Sequence, residues 1–143
     1  MFLFTVLIFS INTSSFSQTD TDEQLAAQYY QDKEYDKAVI LYEKLFSKKQ
    51  EYIFYIPYLD CLEQIKDYKK AEKIIRKQVK IHPLIPQYGV DVGYLYSIMG
   101  ETKQSSDQFD ELIKDLQKDK QYVIDLANAF LFRGETDYAI QTY

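Results

Sequence analysis

One short pattern returns four times along the chain, and no other feature constrains the fold as much. Aligning KEYDKAVILYEKL (33–45), KDYKKAEKIIRKQ (66–78), GETKQSSDQFDEL (100–112) and the closing GETDYAIQTY (134–143) puts Ala38, Ala71, Ser105 and Ala139 in one column. The intervals are 33, 34 and 34 residues. A fixed period in this range marks a stacked repeat architecture, in which no single unit buries its apolar face alone. Other columns keep the same register. Twelve residues before each anchor stand Ala26, Leu59, Gly93 and Ala127; nine before, Tyr29, Leu62, Tyr96 and Phe130. Four after stand Tyr42, Ile75, Phe109 and Tyr143, and three before, Tyr35, Tyr68, Thr102 and Thr136.

These columns predict two antiparallel helices per unit. Small residues fall where the two helices cross, and large apolar residues lie three or four positions away on the same helical face. Gly100 and Gly134 fall at the end of the first helix, where a left-handed backbone suits glycine. Lys33 and Lys66 hold that place in the first two units, at a cost on the order of 1 kcal/mol each if their backbones are left-handed too. The predicted helices are 20–32, 36–49, 53–65, 69–82, 87–99, 103–116, 121–133 and 137–143. Pro83 stops the fourth of them. With only three Pro and four Gly in 143 residues, long helical stretches are compatible with the composition.

The period, the small residues at the crossing, the aromatic residue four positions later and the proline at a unit's end together resemble the tetratricopeptide repeat. The resemblance covers about residues 19–143. It departs from the usual pattern in having no Trp, a bulky Leu59 in a small-residue column, and Ser105 at an anchor. It implies an all-α fold, an α-solenoid of about four stacked helix pairs wound into a right-handed superhelix. The units fall at about 19–51, 52–85, 86–119 and 120–143, the last cut in mid-course. Tyr143 sits in the aromatic column with no polar capping helix after it, which suggests the N-terminal part of a longer protein.

The resemblance also implies a concave groove lined by the first helix of each unit. Carried over by position, that groove includes Tyr30, Asp60, Glu63, Tyr94, Ser97, Asn128 and Leu131, with Ile56, Val90 and Ile124 beside them. Its mixed aromatic, apolar and polar character suits a peptide or a partner helix. The carboxylate-clamping subset of the family is not matched, since only Asn128 fits and Asp60 and Glu63 would repel an acidic tail. The plainer role for these residues is core packing for Tyr30 and Tyr94, and solvent or inter-repeat hydrogen bonding for Asp60 and Asn128.

The N-terminus differs from the repeats. Residues 2–11, FLFTVLIFSI, carry no charge, and this run is half the roughly 20 residues needed to span a bilayer. A small polar stretch follows, with Ser15 and Ser17 at −3 and −1 of a cleavage before Gln18. We read residues 1–17 as a secretory signal peptide, although no Lys or Arg precedes the apolar run. A membrane-surface anchor or a mis-assigned start are the alternatives. Export would place the protein in the bacterial periplasm or cell envelope.

Charge is unevenly spread. The net charge is −5, yet residues 66–80 hold seven basic and two acidic residues. Lys66, Lys69, Lys73, Arg76 and Lys80 recur at helical spacing, as a contact for an anionic surface or as an ordinary solvated face. The acidic total and the shortness of the stripe argue against nucleic acid.

No catalytic, metal or cofactor constellation stands out. The single His82 excludes two-His metal sites. The single Cys61 cannot form an internal disulfide and sits in an apolar helical stretch, as a packed thiol does. Asp60 and Glu63 share a helical face, which is common on solvated helices. The sequence therefore points to a non-enzymatic scaffold that binds other proteins; the alternative is an N-terminal sensor or docking segment of a larger signalling or enzymatic protein.

Overall fold

The computed structural model describes residues 14–114 and 120–143. It is all-α, a helical repeat of the α-solenoid kind. The helices are α1 (Ser14–Gln31), α2 (Tyr35–Lys49), α3 (Tyr52–Gln64), α4 (Tyr68–Ile81), α5 (Pro86–Ile98), α6 (Thr102–Lys114), α7 (Lys120–Phe132) and α8 (Thr136–Thr142). The apolar run 2–11, and the leader as far as residue 13, lie outside the described residues. Among the described residues no helix is long and apolar enough to cross a membrane.

The four turns inside the pairs are one motif used four times. Lys33, Lys66, Gly100 and Gly134 all take positive φ, at 59°, 61°, 80° and 78°. In each turn the next residue reaches back five positions: Glu34 N–H donates to the Tyr29 carbonyl, Asp67 to Leu62, Glu101 to Tyr96 and Glu135 to Phe130, at 2.8–2.9 Å. The left-handed residue itself donates three positions back, at 3.0–3.1 Å. This Schellman pattern satisfies carbonyls that a helix end otherwise leaves open. The two lysines accept the strained backbone because both hydrogen bonds form there as they do at glycine.

Glu34, Asp67, Glu101 and Glu135 then begin the second helices, their carbonyls accepting from Ala38, Ala71, Ser105 and Ala139 at 3.0 Å. The Asp67 side chain also accepts from the Lys70 amide at 3.2 Å. An acid at this position favours the positive end of the helix dipole. The second helices accordingly start one residue earlier than the sequence predicts.

Compactness divides the chain after Cys61 into two units. In residues 14–61, α1 packs on α2 with Ala26 and Ala38 fully buried at the crossing. Tyr30 meets Tyr35 and Tyr42 edge-on at 5.8 and 6.1 Å, and Phe46 packs on Tyr55 and Tyr58. Lys44 pairs with Asp22, and Lys49 with Glu23, both at 2.6 Å. Such partly exposed pairs contribute roughly 0–1 kcal/mol.

In residues 62–143, α5 contacts α4, α6 and α7, and α7 pairs with α8. Val90, Phe109, Leu126, Ala129, Phe130 and Ala139 form its core. The Phe109 ring stands edge-on to Phe130 at 5.2 Å and to Tyr138 at 4.8 Å. Gly93 makes room for that ring: a Cβ there would lie 2.1 Å from Phe109 Cε1. Glycine in this small-residue column is thus set by an aromatic of the same pair.

Candidate functional site

α5 carries almost no solvent-facing surface, and one of its buried residues is charged. Asp91 is 0% exposed between Val90 and Val92. A carboxylate there is stable only with a partner of opposite charge and hydrogen bonds. Arg133, at the end of α7, supplies both: its Nε donates to Asp91 Oδ1 at 2.7 Å and its Nη1 to Glu63 Oε2 at 3.1 Å. Gln87, one turn earlier on α5, donates a further bond to Asp91 Oδ1 at 2.9 Å. The guanidinium also lies over the Tyr94 ring, 4.5 Å from its centroid. The Arg133, Glu63 and Asp91 side chains are 9%, 5% and 0% exposed. The cluster ties the end of α3, the middle of α5 and the last turn of α7 to one planar cation.

The structure thus sorts the ten predicted groove residues into different roles. Tyr94 and Ser97 on α5 are half-buried, and Ile124, Asn128 and Leu131 on α7 are exposed. Tyr94 and Asn128 hold the same register on adjacent, contacting helices, as do Ser97 and Leu131. Two of the ten do not line an open groove. Val90 is fully buried in the core cluster, because α5 is packed by α4, α6 and α7 and that face meets Phe109 and Phe130. Glu63 is held by Arg133 and is 8% exposed, so its charge is matched inside the protein.

Tyr30, Ile56 and Asp60 belong to the other unit and are half-buried. The Tyr30 hydroxyl donates to Asp60 Oδ2 at 2.6 Å. Burial, with the hydrogen bond to Asp60 and its charge, pushes the Tyr30 phenol well above its usual range. The hydroxyl therefore stays a donor at any physiological pH. Asp60 and Glu63 share a helix; the Tyr30 hydroxyl donates to Asp60 and the Arg133 guanidinium to Glu63.

The basic stripe is exposed at all five predicted positions. Lys66 stands in the turn before α4, and Lys69, Lys73, Arg76 and Lys80 lie on α4 itself. Arg76 Nε donates to Glu72 at 2.8 Å, and its Nη2 reaches the Tyr96 hydroxyl. His82 caps α4, donating its amide to the Gln78 carbonyl at 2.8 Å, and its ring stacks on Tyr88 at 5.8 Å. Cys61 is buried, and burial, with the Asp60 charge beside it, pushes its thiol up to about 12. That environment disfavours the thiolate a nucleophile needs. Among the described residues no group of three or more His, Cys, Asp and Glu is placed to hold a metal ion.

Sequence reasoning missed Arg133, Asp91 and Gln87. The available signal was Asp91, the only charge in PQYGVDVGYLYSI. An isolated acid in an apolar helix asks for a cation from elsewhere in the chain. No known family model matches the chain, and no curated protein sequence matches it.

Proposed function

We propose that the chain is a protein-interaction scaffold of the tetratricopeptide type. It binds a peptide or partner helix along the faces of its first helices, by contact rather than by catalysis. The observation that carries this reading is the Tyr94 ring, held by Arg133 and set beside α7, where Asn128 and Leu131 stand exposed in matching register. A ring already fixed by a buried ion cluster loses little freedom when a ligand lands on it, which favours affinity. Aromatic contact with a few polar groups alongside is the usual chemistry of peptide recognition. The apolar N-terminal run supports an exported protein of the bacterial envelope.

Peptide display against the full chain tests the reading. Recovered peptides should bind Asn128→Ala and Leu131→Ser at least tenfold more weakly, a loss of about 1.4 kcal/mol. Both side chains are exposed, so the thermal midpoint should hold. Unchanged binding by both variants removes this face from the proposal.

A further inference from the structure

Between α4 and α5 the chain runs Ile81-His82-Pro83-Leu84-Ile85 and leaves its aliphatic side chains in solvent. Ile81 is 51% exposed, Leu84 72% and Ile85 44%. All three stand at the end of α4 or in the turn after it, a corner of the chain. It continues directly from α4, where Lys69, Lys73, Arg76, Lys77 and Lys80 are all exposed. At the helical angle per residue these five fall within an arc of roughly 100°, and Ile81 adjoins its edge. Arg76 is engaged by Glu72, whereas Lys69, Lys73, Lys77 and Lys80 have no ion-pair partner among the described residues. A cleft of about 170 Å³ opens on the same helix, lined by Arg76, Val79, Lys80, Val92 and Gln108.

We propose that this corner docks on an anionic lipid bilayer, with Ile81, Leu84 and Ile85 entering the interface and the α4 lysines over the headgroups. The cleft beside Lys80 takes one headgroup phosphate. Three details favour a bilayer over an acidic protein. The apolar element is exposed to solvent, as insertion requires. The free cations are all lysines, which are depleted in protein interfaces and act as mobile point charges. The one arginine of the stripe is already held within the protein. The charge asymmetry has the right sign too: residues 66–80 are basic in a chain of net charge −5. This surface centres on α4 and its following turn, with Val92 and Gln108 at the cleft, and contains none of the residues of the peptide-binding reading.

The test is co-sedimentation of the full chain with phosphatidylcholine vesicles, with and without about 30% phosphatidylglycerol. Binding is expected only with the anionic lipid, and should weaken steeply with added salt. Lys77→Gln with Lys80→Gln should lower the partition constant about 25-fold, at roughly fivefold per cation. Leu84→Ser with Ile85→Ser should lower it at least about tenfold, with the far-ultraviolet circular dichroism unchanged. Millimolar inorganic phosphate should leave binding to the anionic vesicles in place; its abolition would make the cleft a free-phosphate site and overturn the proposal. Equal sedimentation with both vesicle types would overturn it also, leaving the stripe to an acidic protein. So would equal binding by wild type and both double variants, since the N-terminal apolar run would then carry the attachment.

Discussion

Replacing Arg133 by leucine removes one cation and leaves two buried carboxylates. Asp91 and Glu63 have side chains 0% and 5% exposed, so water cannot take over the role of the guanidinium without local opening. Breaking a buried pair from one side costs about 3–5 kcal/mol, because the remaining charge is uncompensated. Ordinary domains have only about 5–15 kcal/mol in total. We expect Arg133→Leu to lose about 3 kcal/mol or more in urea unfolding, and to melt at least about 12 °C lower. The charge origin of that loss is checked by adding Asp91→Asn and Glu63→Gln in the same background, which should recover at least half of it. Two results would refute the reasoning. A single-variant loss below about 1 kcal/mol would make the cluster equivalent to an exposed pair. Failure of the two neutralising changes to recover stability would place the loss in packing over Tyr94 instead.

Gly93→Ala should destabilise by about 1–3 kcal/mol despite alanine's better helix propensity, since its Cβ would lie 2.1 Å from Phe109 Cε1. In the presence of Phe109→Leu the penalty should largely vanish, which a double-mutant cycle by chemical denaturation reads directly. Lys66→Gly should stabilise by about 0.5–1 kcal/mol, because φ at this position is 61°. A denaturation midpoint that falls would show that the lysine is not strained. Cys61 should resist maleimide at neutral pH until the protein unfolds. Its folded thiol, at about 12, lies above the ordinary value of 9.0, so the stability it contributes is full below pH 9 and is lost as pH rises towards 12. The difference in unfolding free energy between wild type and Cys61→Ala should shrink over that range.

The sequence made the helix pairs legible because their determinants are local. A turn that needs one left-handed residue, and a crossing that needs one small residue, leave marks at a fixed period. Even Lys33 and Lys66 were identifiable as strained by their place in the column. The helix starts were off by one because the acid before each second helix acts through its backbone carbonyl, which composition does not display. The site was less legible for a different reason. Val90 and Ile124 occupy the same register, yet one is in the core and the other is 42% exposed. Register specifies a direction on a helix; neighbouring helices decide whether that direction meets solvent. Arg133 carries no mark in the sequence beyond its place beside a turn glycine, and its partners stand 42 and 70 residues earlier.

The same separation has a kinetic consequence. The four turns close through hydrogen bonds within six residues, so they can form early and independently, as low contact order favours. The Arg133–Glu63 bond joins residues 70 positions apart and needs α3, α5 and α7 already in place. A contact of that kind is expected to form after the folding transition state, with a φ-value near zero for Arg133 substitutions. Its strength would then appear almost wholly in the unfolding rate, so that the arginine governs how long the folded array lasts more than how quickly it forms.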